Sequence, residues 1–249
     1  MIITSKNNPL VKETIALKEK KARKEQGLFL VEGKKMVLEL FKSHYRPVRV
    51  FLSEDADFDK SVCPVETVVV SRDVFAKLTD EKTPQGVLCV AEIPKRELRS
   101  PKGKCLLLDG VSDPGNMGAI LRTANACGYD EIYLTDDCTD PYSPKSVRAS
   151  MSGVFYPDLY FGRREEILSV LKSVPVYVAD LDGENVFTFT PQEKFALVIG
   201  NEANGVSKTV KDAADKKINI PMSRNQESLN AAVAASVCMY LLKKDEFSK

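Results

Sequence analysis

The chain reads as an α/β protein of two domains, a smaller N-terminal α/β domain followed by a larger one built on a parallel sheet. Three observations predict this. Short apolar runs of strand length alternate with helical periodicity along most of the 249 residues. A segment with two prolines and little to bury, residues 93–103 (IPKRELRSPKG), interrupts that alternation. The length itself exceeds that of a typical single domain.

Residues 6–24 (KNNPLVKETIALKEKKARK) carry seven basic side chains against Glu13 and Glu19. In a chain whose net charge is only +1 this is a local cationic patch, and Lys6, Lys12, Lys20, Lys21, Arg23 and Lys24 are candidate phosphate contacts. The competing structural reading is a solvated helix face with the two glutamates paired to nearby lysines. Apolar runs at 29–31, 48–52, 66–70 and 87–91 then predict strands, with helices at 34–41 and 71–78. They make residues 1–95 a small α/β domain.

Residues 104–249 form the second domain. Residues 104–108 predict a buried strand, 117–126 a helix with Gly128 as its C-terminal cap, and 131–135 the next strand. Further strands are expected at 176–179, 195–199 and 217–220. Apolar strands alternating with helices imply a parallel sheet covered on both faces.

Composition excludes several classes. The six cysteines contain no C-x-x-C pair and His44 is the single histidine, so a metal site is not expected. Residues 1–6 lead into polar sequence rather than a secretory signal, and the longest apolar stretch, 229–242, is too short to span a bilayer. A cytoplasmic protein with free thiols is the expectation.

Ligands of open parallel sheets bind beyond the carboxyl ends of the strands. Three loops occupy such positions: LDGVSDPGNMGAILRTANACG (108–128), IGNEANGVS (199–207) and IPMSRNQESLNAAVAAS (220–236). Singly, each polar residue has a structural explanation. Asn116 and Ser228 are good helix caps, Arg122 suits a helical ion pair, and Glu202 suits a turn. Their recurrence after three strands points instead to one shared site. Gly110, Gly115 and Gly118 do not make a dinucleotide fingerprint. Gly200 and Gly205 have the spacing of a phosphate loop, but Val206, Ser207 and Lys208 stand where its lysine and hydroxyl residue belong, which argues against an NTPase.

These loops resemble the three motifs of the SpoU, or TrmH-like, family of RNA ribose 2′-O-methyltransferases. Asp113, Pro114, Asn116, Gly118, Arg122, Thr123, Ala124 and Gly128 match the first motif. Gly200, Asn201, Glu202 and Gly205 match the second, and Ile220, Pro221, Met222, Glu227, Ser228, Leu229 and Asn230 the third. The likeness is close over about 104–242. It is looser over 6–92, where FLVEG (29–33) is similar to RNA-binding ribosomal proteins of the kink-turn type. The family usually has glycine where Arg224 stands and an aliphatic residue where Gln226 stands.

The resemblance implies a parallel sheet with a deep C-terminal trefoil knot, S-adenosylmethionine as methyl donor, and a homodimer. It implies that Ile199, Gly200, Asn201, Ile220, Met222, Ser228 and Leu229 hold the cofactor, and that Arg122 acts on the ribose hydroxyl with Asn116, Glu202, Ser228 and Asn230 organising the site. Arg122 is either the proton acceptor or a charged clamp for phosphate and alkoxide. The implied substrate is ribosomal RNA, of the large subunit. A tRNA enzyme of this family and an inactive RNA-binding relative are the alternatives.

Overall fold

The computed structural model describes residues 2–223 and 228–247. The chain folds as two compact units, Met1–Lys95 with Asp140–Tyr156, and Arg96–Thr139 with Pro157–Lys249.

In the first unit β1 (Ile2–Ile3), α1 (Pro9–Ala16), α2 (Lys20–Gln26), β2 (Leu28–Glu32), α3 (Lys34–Lys42), β3 (Pro47–Ser53), β4 (Thr67–Val70), α4 (Arg72–Leu78) and β5 (Val87–Glu92) follow one another. The strands make a five-stranded sheet in the order β1-β4-β3-β5-β2. β5 runs antiparallel to β3 and β2, and the other pairs are parallel. Side chains of β2 alternate between the two faces as the pleat requires. Leu30 joins Val11 of α1 and Val74 and Leu78 of α4 in one core. Phe29, on the opposite face, packs against Tyr45 at a ring separation of 5.7 Å. The predicted strands and helices of this region are all present. β1, α1 and α2 are additional: β1 is only two residues long, α1 is a short helix of eight residues, and the sequence of α2 is dominated by charge rather than by an apolar period.

The second unit contains β6 (Cys105–Asp109), α5 (Pro114–Cys127), β7 (Glu131–Thr135), β8 (Asp158–Gly162), α7 (Arg164–Leu171), β9 (Val176–Asn185), β10 (Ala196–Gly200), α8 (Lys208–Asp212), β11 (Lys216–Asn219), α9 (Ala231–Leu241) and α10 (Lys244–Phe247); α6 (Pro144–Ser150) falls between β7 and β8 but belongs to the first unit. The six strands run in the order β11-β9-β10-β6-β7-β8, and every neighbouring pair is parallel. Each residue of β6 is buried, which is why it reads as an uninterrupted apolar run ending in Asp109. Cys105, Leu107, Val176, Val198 and Ile167 form the core under α7 and α8, while α5 and α9 pack together, with Thr123 Oγ1 and Ser236 Oγ 3.0 Å apart.

Two features position the site. From β6 the chain adds β7 and β8 on one side, while β10, β9 and β11 lie on the other, so the order reverses between β6 and β10. The loops that leave the carboxyl ends of these two strands are joined there, with Asn201 Nδ2 donating to Gly110 O. Secondly, the pairing of β11 with β9 jumps from Lys217↔Val178 to Ile218↔Glu184, so residues 179–183 leave the ladder. Gly183 permits this, since a Cβ there would lie 2.6 Å from the Lys217 carbonyl carbon.

The segment Asp140–Tyr156 falls within the stretch that the sequence reading gave to the second domain, yet it packs with the first unit. Tyr142 and Phe155 join Phe29 and Tyr45 in an aromatic cluster, and the Tyr45 and Tyr142 hydroxyls lie 3.0 Å apart. Arg23 corrects one expectation. Its side chain is 3% exposed, donates to the carbonyls of Leu17 and Lys18, and forms a 2.7 Å ion pair with Asp140. It is a structural anchor of this unit, without a free donor face for RNA.

Candidate functional site

The three strand-end loops come together. Beyond β6, Asp113 caps α5 by accepting from Asn116 N at 2.8 Å, which leaves the Asn116 amide free to turn outward. Beyond β10, the chain makes a tight hairpin in which Asn201 and Gly205 exchange backbone hydrogen bonds. A Cβ on Gly200 would lie 2.3 Å from the Gly205 carbonyl carbon, so this close approach requires glycine. Beyond β11, the third loop reaches α9, whose N-cap is Asn230.

A hydrogen-bond chain joins the loops. The Glu202 carboxylate accepts from Ser112 N (3.0 Å), Ser112 Oγ (2.7 Å), Asp113 N (3.1 Å) and Asn116 Nδ2 (2.9 Å). Asn116 Oδ1 in turn accepts from Asn230 Nδ2 at 2.9 Å, while Asn230 Oδ1 accepts from Ala232 N and Val233 N. Asn201 Nδ2 donates to Gly110 O at 2.8 Å. Burial alone would raise the Glu202 pKa, but the hydrogen bonds from Asn116 and Ser112 outweigh it and bring the carboxyl down to about 2. Asn116 and Ser228, expected as possible helix caps, are not the caps; Asp113 and Asn230 fill those places.

Beside this network lies a cavity of about 390 Å³, within the usual range for small-ligand pockets. Ile199, Gly200, Asn201, Ile220, Met222, Ser228 and Leu229 all line it, as does Glu202. Sequence reasoning missed Asp180, Leu181 and Lys211, which also line it. Asp180 and Leu181 enter through the register break of β9, which leaves no periodic trace in sequence, and Asp180 pairs with Lys211 at 2.7 Å. Cys238 of α9 forms part of the wall, and burial pushes its thiol up to about 12, so it presents a neutral surface.

Arg122 is not among the cavity residues. It is exposed on α5 and makes no hydrogen bond or ion pair among the described residues. Lys6, Lys12, Lys20, Lys21 and Lys24 are exposed in the first unit, on or before α1 and α2. Arg224, Gln226 and Glu227 lie outside the described residues. No group of His, Cys, Asp or Glu that could hold a metal occurs among the described residues.

A parallel sheet with a mixed polar and apolar cavity beyond the carboxyl ends of β9, β10 and β11, beside loops joined by hydrogen bonds, defines an α/β protein that binds a cofactor-sized ligand beside a polar cluster. Its chemistry becomes specific through comparison with known proteins. Residues 103–240 match the SpoU rRNA Methylase family, and residues 8–89 match an MRM3-like substrate binding domain. The chain belongs to the SpoU rRNA methylase family. It is 31% identical to the 23S rRNA (guanosine(2553)-2′-O)-methyltransferase RlmP of Bacillus subtilis, over 97% of this chain and 98% of that one.

Among solved structures, an AdoMet-bound rRNA methyltransferase from Sinorhizobium meliloti superposes with a TM-score of 0.89 at 27% identity, covering 98% of each chain. The SpoU methyltransferase AviRb from Streptomyces viridochromogenes, in complex with AdoMet, also gives 0.89, at 25% identity over 97% of this chain and 99% of that one.

Proposed function

We propose that this chain methylates a ribose 2′-hydroxyl of ribosomal RNA, in the large subunit, using S-adenosylmethionine. The observation that carries the reading is the joining of all three motif loops through Glu202, Asn116 and Asn230 beside a cavity lined by every residue expected to hold the cofactor. The cofactor has a flat aromatic purine, ribose hydroxyls and a charged amino-acid tail. Ile199, Ile220, Met222 and Leu229 offer apolar wall, while Asn201, Ser228 and the Asp180–Lys211 pair offer polar partners. When bound, S-adenosylmethionine supplies an electrophilic methyl group on a sulfonium. The residues of the chain hold the loops, orient the ribose and manage its proton.

In this reading Arg122, exposed on α5, acts as a cationic clamp and not as the proton acceptor. Its donors, unpaired among the described residues, suit an RNA phosphate and the oxygen that gains negative charge as the hydroxyl proton passes to solvent, a charge that is consumed as the O–C bond forms and the sulfonium S–C bond breaks. Lys6, Lys12, Lys20, Lys21 and Lys24 supply phosphate contacts in the first unit, and Arg23 does not. Large-subunit RNA is favoured because the chain carries a substrate-binding domain and because RlmP, similar over its whole length, is named for a 23S nucleotide.

Three further features belong to the reading. A homodimer is supported by the exposed apolar Val233 and Tyr240 of α9, beside small residues that let another helix approach. A C-terminal trefoil knot belongs to the reading through membership of the SpoU rRNA methylase family. The cytoplasm is the compartment that holds such a substrate, and no helix among the described residues is long and apolar enough to cross a membrane.

Arg122→Ala tests the assignment. Methylation of ribosomal RNA, mapped in cells complemented with the variant, falls at least about a hundredfold, as for removal of a transition-state donor. S-adenosylmethionine affinity stays within about threefold, because Arg122 does not line the cavity. Full methylation by the variant would remove Arg122 from the reaction. Methylation confined to tRNA would move the substrate.

A further inference from the structure

Asp109 ends the central strand β6 with a carboxylate whose side chain is fully buried. Both of its oxygens are committed. Oδ1 accepts from Arg164 Nε at 2.6 Å, and Oδ2 accepts from the backbone N–H of Ser207, also at 2.6 Å. Ser207 is the last residue of the hairpin loop that begins at Gly200 and walls the cavity. Its hydroxyl is buried without a partner among the described residues and does not cap α8. The rear of the loop is therefore held through its backbone by Asp109, as the front is held by Asn201 on Gly110 O.

Arg164 does not sit where helix stability would place it. It is the first residue of α7, where the helix dipole disfavours a cation. It nevertheless forks between Asp109 and Asp137, the second at 2.6 Å, and Asp137 is itself fixed by Thr135 Oγ1. The left-handed turn at Gly110 packs closely beneath this fork: a Cβ would lie 3.3 Å from Asp137 Oδ2 and 3.4 Å from Arg164 Nη2. The ends of β6 and β7, the start of α7 and the loop after β10 thus meet at one ion-pair cluster outside the cavity.

We infer that the Asp109–Arg164 pair is the positioning device for the cofactor loop: it sets the backbone of residues 200–207 in the binding geometry without touching the ligand. This rests on the proposal that the cavity holds S-adenosylmethionine. A buried carboxylate deprived of its guanidinium loses one of its two fixed partners, and its hold on the Ser207 N–H weakens. The loop then samples other positions, and binding carries the cost of re-ordering it.

The test is calorimetric titration of the full-length protein with S-adenosylmethionine. Arg164→Gln raises Kd about tenfold while the fraction of chains able to bind stays as in the wild type. Arg164→Lys, whose single ammonium can serve Asp109 but not the whole fork, recovers most of the affinity, with Kd raised about two- to threefold over wild type. Glu165→Gln, the neighbouring exposed position on α7, leaves Kd unchanged. A merely structural role for Arg164 would lower the binding fraction at constant Kd, and that result overturns the inference, as does a Kd within about twofold of wild type for Arg164→Gln. Should the glutamine variant fail to fold, the lysine variant decides: a Kd raised about two- to threefold supports the inference, and an unchanged one overturns it. Failure of the wild type to bind S-adenosylmethionine would instead sink the cofactor reading itself.

Discussion

Glu202 shows how a residue with an unremarkable sequence context becomes the keystone of a site. In sequence it is an acidic residue in a turn. In the structure it gathers donors from Ser112, Asp113 and Asn116, which lie roughly ninety positions earlier in the chain. Its carboxyl is depressed to about 2 from an ordinary 4.5. A depressed acid stabilises the fold fully above its unfolded value and loses that contribution as pH falls toward the folded one. Glu202→Gln replaces one accepting oxygen by an NH₂ that faces donors, so S-adenosylmethionine affinity should fall about tenfold or more. The stability difference between wild type and variant, from urea unfolding, should be flat from pH 7 to about 5 and shrink between about 4.5 and 2. A difference that persists undiminished at pH 2 would show that the charge is not what holds the loops. Arg23 teaches the opposite lesson at the same scale: a cation inside a basic run, indistinguishable in sequence from Lys21 or Lys24, is buried against Asp140.

Among elements, those with an unbroken apolar run were legible. β6, β7 and β10 are buried on both faces and announce themselves, so the loops leaving β6 and β10 could be located before any coordinates. β8 was not legible, since DLYFG alternates too briefly between faces, and the break in β9 obeys no period. Helix α9 separates the structural from the functional part of one side chain. Asn230 Oδ1 caps the helix, while its Nδ2 donates to Asn116. Asn230→Asp keeps an excellent cap but sets a carboxylate oxygen against Asn116 Oδ1. Its Tm should therefore stay within a few degrees of wild type while methylation drops about tenfold or more. Asn230→Ala loses both functions, and its unfolding free energy should fall by about 1 kcal/mol as well. Equal activity in the wild type and the aspartate variant would reduce Asn230 to a cap.

For the whole molecule, the linker at 93–103 gave no sign that the first unit is completed by residues from much later. Asp140–Tyr156 carries no signal of its destination, because what fixes it is non-local: Tyr142 and Phe155 against Phe29 and Tyr45, and Asp140 against a buried guanidinium. This has a consequence for any attempt to isolate the substrate-binding unit. A fragment ending at residue 95 leaves Arg23 without its counter-ion and exposes the aromatic face of β2. A buried cation stripped of its partner costs about 3–5 kcal/mol, comparable to much of the stability of a small domain. Residues 1–95 expressed alone should therefore show no cooperative thermal transition and poorly dispersed amide resonances. A sharply folded fragment would mean that the five-stranded sheet is self-sufficient and that Asp140–Tyr156 merely decorates it.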